Sequence, residues 1–310
     1  MEIVDLETIR KSLDFSEVID RMREALIAQS RGECDTPMPM HLEIPPEEAE
    51  VHVKSSYRRG GEYFALKIAS TFPGNLARGR SVGNGMMLLV SAQTGDPLMY
   101  FADEGYMTDI RTAAVSAMVA RELGRKDTAI GILGTGLQAR YQVQLHAEVL
   151  DLKTVWVWGR TPERVETYVA DMGKLLPGVE VNVAASPTEV AGNVHLIVTA
   201  TASRAPLLSA ADIRPGTHIA AVGADGPGKQ ELEPEVLRAA GLLLVDSLAQ
   251  CERLGELQHT PDQKSRAVEI GAYCASPTPA AADDITVADF TGLGVEDLFI
   301  AQYCYEHIRR

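Results

Sequence analysis

The sequence predicts an α/β protein in two parts. One is a doubly wound parallel sheet with helices on both faces; the other is a second, smaller α+β domain. Three observations predict this. After Lys126, short continuous apolar runs alternate with amphipathic stretches, as parallel strands buried on both faces require. The first of those runs, TAIGIL, enters a glycine turn, GTG, that opens a helix. Before Lys126, apolar runs separated by GG, GN and TGD read as a mostly antiparallel sheet joined by turns.

Taken in order, the first segment reads as one helix. Ile9, Leu13, Val18, Ile19, Met22, Ala25, Leu26 and Ala28 share a stripe, with Asp14 and Ser16 as caps. The proline-rich TPMPMHLEIPPEEAE breaks it, and VHVKSSY, YFALKIAS, GMMLLVSA and PLMYFAD follow as strands. TDIRTAAVSAMVARELG is an Ala-rich helix with Gly124 as its C-cap. Then come strand TAIGIL, helix LQARYQVQLHAEVL, strand KTVWVWGR and helix PERVETYVADMGKLL, with Pro162 near its start. Strand VEVNVAAS, helix SPTEVAGN, strand VHLIVTAT, loop SRAPLLSAADI, strand HIAAVGAD, the stretch ELEPEVLRAA and strand GLLLVDS follow. GVEDLFIAQYCYEHIRR is a final helix. The boundary falls between Arg111 and Lys126. Taken at its start, residues 1–112 form the first domain, with helix 295–310 packing back on it, and 113–294 the second.

The chain has 310 residues, 45% hydrophobic and 23% charged, which excludes a disordered chain or a coiled-coil rod. Its net charge of −14 argues against nucleic acid or anionic membrane as a partner. The cysteines, at 34, 251, 274 and 304, are scattered without a CxxC pair, so no zinc site or disulfide framework is expected and a reduced, cytoplasmic setting fits. The N-terminus lacks the pattern of a signal peptide, and no run approaches a membrane span.

GxGxxA at Gly134, Gly136 and Ala139 is a dinucleotide fingerprint in its proper setting, a strand entering a helix of a Rossmann-type unit. Thr135, Leu137 and Gln138 lie in the same turn, and the helix start offers free amides to phosphate. The next strand ends in Gly159, Arg160 and Thr161, without the acid that holds the ribose hydroxyls in NAD sites. Arg160 and Thr161 suit a 2′-phosphate, which favours NADP(H), with NAD(H) the alternative if Arg160 is a solvated loop residue.

Lys67 lies inside an apolar strand, and Arg111 at the start of a helix of small apolar residues. Both are out of place unless they meet an anion, either a substrate carboxylate or internal acids such as Asp103, Glu104 or Asp109. Asp225 closes the strand HIAAVGAD after Val222 and Gly223, at the end where parallel sheets bind ligands, or it caps a turn. Thr199, Thr201 and Ser203 either touch the cofactor or close their strand.

EGYMTDIRTAAVSA, ILGTGLQAR, WGRTPE, VTATASRAPLL and HIAAVGADGPGKQELEPE occur in this order, with ALKIAS before them and ITVADFTGLGVEDL after them. Together they resemble the ornithine cyclodeaminase/mu-crystallin family from about residue 50 to the end, most closely its ectoine-utilisation and imine reductase branch. The resemblance implies a substrate and dimerisation domain beside the Rossmann domain, a homodimer, and NAD(P)-dependent chemistry on amino acids or their imines. It implies Lys67 and Arg111 as carboxylate ligands, Lys67 with a catalytic part, Asp225 as the catalytic acid, and Gly294 among the cofactor contacts. Where the family often carries a further carboxylate-binding Arg, this chain offers His41, as a substrate ligand or a plain loop residue. The function expected is an NAD(P)H-dependent reductase of imino acids. The alternatives are an ornithine cyclodeaminase, disfavoured by the missing ribose acid, and a mu-crystallin-like binding protein without turnover, disfavoured by Asp225.

Overall fold

A computed structural model describes residues 1–309. They form two compact units, Met1–Arg111 with the chain from Leu293 onward, and Thr112–Gly292.

The first unit carries a seven-stranded sheet. Its strands are β1 (Glu2–Asp5), β2 (Cys34–Asp35), β3 (Met40–Ile44), β4 (Ala49–Arg58), β5 (Tyr63–Thr71), β6 (Gly83–Ser91) and β7 (Pro97–Ala102). The order is β1-β7-β6-β5-β4-β2, with β3 also on β4, and only β1 pairs in parallel. The single helix expected at the N-terminus is two, α1 (Leu6–Ser12) and α2 (Phe15–Ser30), preceded by β1. The break has a local cause. Asp5 caps the first helix by accepting from the Thr8 amide, and Asp14 caps the second by accepting from that of Glu17.

The C-terminal helix, Gly294–Ile308, packs on α2, β4 and β5 within this unit. Strand alternation gives the sheet two unlike faces. Paired positions Lys54 and Lys67, and Met87 and Phe101, lie on one face, and all four are buried. The other face presents Ile3, Met40, Leu42, Ile68 and Met86, all exposed. Helix α3 (Tyr106–Glu122) continues the chain, and Gly124 beyond it takes φ 69°, the left-handed conformation of a C-cap.

The second unit is an eight-stranded parallel sheet. The chain runs β8 (Ala129–Leu133), α4 (Leu137–Ala147), β9 (Thr154–Trp158), α5 (Pro162–Leu175), β10 (Glu180–Val183), α6 (Pro187–Asn193) and β11 (Leu196–Thr199). It continues through β12 (Arg204–Leu208), β13 (His218–Ala221), β14 (Gln230–Leu232), α7 (Pro234–Ala239), β15 (Leu242–Val245), α8 (Leu248–Leu254), β16 (Val268–Glu269), α9 (Ile270–Ala275) and β17 (Thr286–Asp289). The order β10-β9-β8-β11-β13-β17-β15-β16 reverses direction between β8 and β11, which places the ligand crevice at their carboxyl ends.

The sequence expectation named none of β14, α8, β16 and α9, and three further parts of this unit differ from it. The segment RAPLL, expected as a loop, is β12, paired with β14 in a small separate sheet. Strand β13 stops at Ala221, so Asp225 lies four residues beyond it in a loop rather than closing it. Strand β17 went unseen because its sequence, TVAD, is half polar. Its polar groups are satisfied by partners distant in sequence: Thr286 pairs with His218 (2.8 Å), and Asp289 accepts from the amides of Glu256 and Leu257 (2.9 and 3.0 Å).

Candidate active site

The glycine turn after β8 has the form a dinucleotide needs. Gly134 takes φ 125°, and a Cβ there would lie 2.4 Å from the Ala200 carbonyl oxygen, so only glycine fits. A Cβ on Gly136 would meet nothing within 4 Å, so this residue leaves a free approach at the N-cap of α4. Ala139 is fully buried. Arg140, which the sequence reading passed over, shapes the turn. Its guanidinium donates to the carbonyls of Thr135 (2.7 Å) and Gly136 (3.0 Å) and pairs with Asp171 (2.7 Å). With those carbonyls bound from the helix side, the first amides of α4 stay available to an anion. Leu137, at the helix start, is 51% exposed, and Gln138 is half-buried beside it.

At the tip of β9, Gly159 is required because a Cβ would meet the Thr135 methyl at 2.7 Å. Arg160 beyond it is exposed, and Thr161 is the N-cap of α5 without a side-chain capping bond. No carboxylate stands at this tip.

The loops after β11 and β13 are tied together by Glu231, a residue the sequence reading did not single out. It accepts from the Thr201 amide (2.7 Å), the Thr201 hydroxyl (2.6 Å) and the Gly223 amide (2.9 Å). Burial pushes its carboxyl up to about 6 against those donors. The Thr201 hydroxyl is therefore spent on Glu231, and that of Ser203 on the Ala205 carbonyl (2.6 Å), so neither is a ready cofactor donor. Thr199 and Val222 are buried at the loop roots. Asp225 is half exposed and pairs with Lys229 at 2.7 Å.

In the first unit Lys67 and Arg111 do come together, around acids the sequence reading missed. Arg111 bonds Glu296 (2.6 Å) through Nη1 and Asp297 (3.0 Å) through Nε; Lys67 Nζ lies 3.3 Å from the other oxygen of Asp297. All four side chains are at most 4% exposed. Of the acids weighed from the sequence, Asp103 is fully buried, accepts from the Met107 amide at the start of α3 and feels the Lys67 charge. Glu296 and Asp297 sit in the first turn of an otherwise apolar helix, and that misplacement was the available signal.

Burial drives the Lys67 ammonium down to about 7, with Asp297 holding it up and Arg111 and Lys54 adding to the fall. Arg111 stays protonated because its two carboxylates outweigh burial. Lys54, its cross-strand neighbour, is a further buried cation, and the buried Asp103 is a further acid that feels the Lys67 charge.

Two further expected site residues belong to the first unit. At Gly294 a Cβ would lie 2.4 Å from the Ser55 carbonyl oxygen; close helix–strand packing accounts for the glycine. His41 is not in a loop: it is on β3, directly across from His52 on β4.

Among the described residues no helix is long and apolar enough to cross a membrane. The chain matches the ornithine cyclodeaminase/mu-crystallin family model over residues 2–310, and it belongs to that family. Its fold superposes on a Thermococcus litoralis Δ1-pyrroline-2-carboxylate reductase solved with NADH and L-proline, with a TM-score of 0.92 at 27% identity over 99% of this chain and 97% of that one. An archaeal alanine dehydrogenase dimer with bound NAD gives 0.89 at 28% identity, over 99% and 95% of the two chains. An iminosuccinate reductase of Paracoccus denitrificans with NAD+ gives 0.88 at 26%, over 100% and 96%.

Proposed function

We propose that the chain is a nicotinamide-dependent reductase of carboxylate-bearing imines that works in reverse as an amino-acid dehydrogenase. The observation that carries this reading is the buried Lys67–Arg111 pair, in a chain whose relatives act on cyclic and linear imino acids. The reduced nicotinamide supplies a hydride to the C=N carbon, and the nitrogen carries a proton, which balances reduction to CH–NH. Arg111, its fork fixed by Glu296 and Asp297, orients the substrate carboxylate, and Lys67 supplies the charge that binds it. The proton is already on the nitrogen when the imine binds as its iminium, so hydride addition alone gives CH–NH, and Asp225, paired with Lys229, accepts from that iminium N–H and holds the protonated form in place.

The glycine turn of the second unit holds the dinucleotide. Arg160 and Thr161 select NADPH, since the acid that rewards NADH is missing; NADH, bound by the solved reductase, is the alternative. A second copy of the chain covers the exposed apolar face of the first sheet, around Ile3, Met40, Leu42, Ile68 and Met86, as a homodimer.

The test follows nicotinamide absorbance with Δ1-pyrroline-2-carboxylate and with iminosuccinate. Turnover of one of them is expected. Lys67→Met and Arg111→Met should each cut kcat/KM about 100-fold or more while cofactor affinity holds. Proline formed from ornithine without net cofactor oxidation, or near-normal kcat/KM in both variants, would overturn the reading.

A further inference from the structure

The covered face of the first sheet holds a second cluster that the reduction does not use. Strands β3 and β4 pair so that His41 stands directly opposite His52, and Glu50, two residues before His52, falls on the same face. The two imidazole rings lie 4.6 Å apart. The Nε2 atoms of His41 and His52 approach the same Glu50 oxygen, at 3.9 and 3.6 Å. One ligand atom from each of the three side chains falls within 4.8 Å of the others. The His41 Nε2 is shut off from solvent and has no hydrogen-bond partner, so a buried nitrogen points into the group with nothing to satisfy it.

We propose that His41, Glu50 and His52 form a binding site for a first-row divalent metal ion of the zinc class. Two imidazoles and one carboxylate suit zinc and its neighbours, whereas magnesium and calcium want an all-oxygen set. Around a tetrahedral ion with bonds of about 2.0–2.1 Å, ligand atoms stand about 3.4 Å apart, so small side-chain rotations close the observed gaps. Among the described residues no further His, Cys, Asp or Glu joins the group. Three protein ligands leave a coordination position open, the form of a reactive rather than a purely structural zinc site. His52 stands two residues, roughly 7 Å, along β4 from Lys54, which pairs with Lys67. An ion there also clips the edge strand β3 to β4.

The test uses the whole chain, stripped with a chelator and titrated with Co2+ at about pH 8. One equivalent should bind with visible ligand-field absorption, be displaced by Zn2+, and raise the melting temperature. Glu50→Gln and His52→Gln should each lose the band and the thermal shift while keeping the metal-free melting temperature and NADH affinity of the wild type. If one variant fails to fold, the other carries the test. A wild type without the band, or a band that persists unchanged in the variants, overturns the site.

Discussion

Replacing Asp297 by Asn keeps its shape and removes the charge between Arg111 and Lys67. Its carboxylate lies 3.3 Å from the Lys67 ammonium and 3.0 Å from Arg111 Nε. At 3.3 Å and an effective dielectric of about 20, Coulomb's law gives about 5 kcal/mol for the lysine contact. Relaxation of the cluster reduces this to about 3 kcal/mol, the low end for breaking a buried pair. At 1.36 kcal/mol per pH unit, that loss pulls the Lys67 titration from about 7 down to about 5. The sign is fixed: a lysine with a lowered pKa carries its charge only below that pKa and loses it as pH rises through it. In the wild type, kcat/KM for the imino acid should therefore fall as pH rises through about 7. In Asp297→Asn the same fall should begin near pH 5, and kcat/KM at pH 7 should drop by about 50- to 100-fold. Some thermal stability should go too, so the decisive readout is recovery of activity on acidification at a temperature where the variant is folded. A variant that loses activity equally at every pH, or a pH profile that does not move, would refute the electrostatic account of this cluster.

The remaining tests address the cofactor turn and the proton. Arg160→Ala should erode a preference for NADPH over NADH by about 1–3 kcal/mol, read from the two dissociation constants; equal wild-type affinities would remove the claim. Asp225→Asn should lower kcat by about 10²- to 10⁴-fold with little change in melting temperature, because its pair with Lys229 is half exposed; an unchanged kcat would leave Asp225 a loop residue. Gly134→Ala places a methyl 2.4 Å from the Ala200 carbonyl oxygen and forces φ 125° on an L side chain, so cofactor affinity should collapse; near-normal NADH binding would show that the turn is less constrained.

The second unit was legible in the sequence where its elements are apolar and local. Strand β8, the glycine turn and α4 follow from composition and φ preference alone, because a turn of this tightness admits few residues. Strand β17 escaped because Thr286 and Asp289 are polar, and their burial is tolerable only through partners far along the chain. The split between α1 and α2 was hidden because one apolar stripe runs through both, although Asp14 was visible as a cap.

The candidate site divides along the same line. Lys67 and Arg111 declared themselves as charges in apolar settings, and so pointed to an anion. Which anion they meet was not written beside them: Glu296 and Asp297 are more than 180 residues away and reach Arg111 only because the C-terminal helix packs on β4 and β5. His41 read as either a substrate ligand or a plain loop residue, because its surroundings depend on the β3–β4 register that sets it against His52. A residue's wish to be buried, bent or capped acts within a few neighbours and shows in one sequence. The identity of a buried charge's partner is a long-range choice, made by packing, because any carboxylate brought within 3 to 4 Å satisfies the same Coulomb demand.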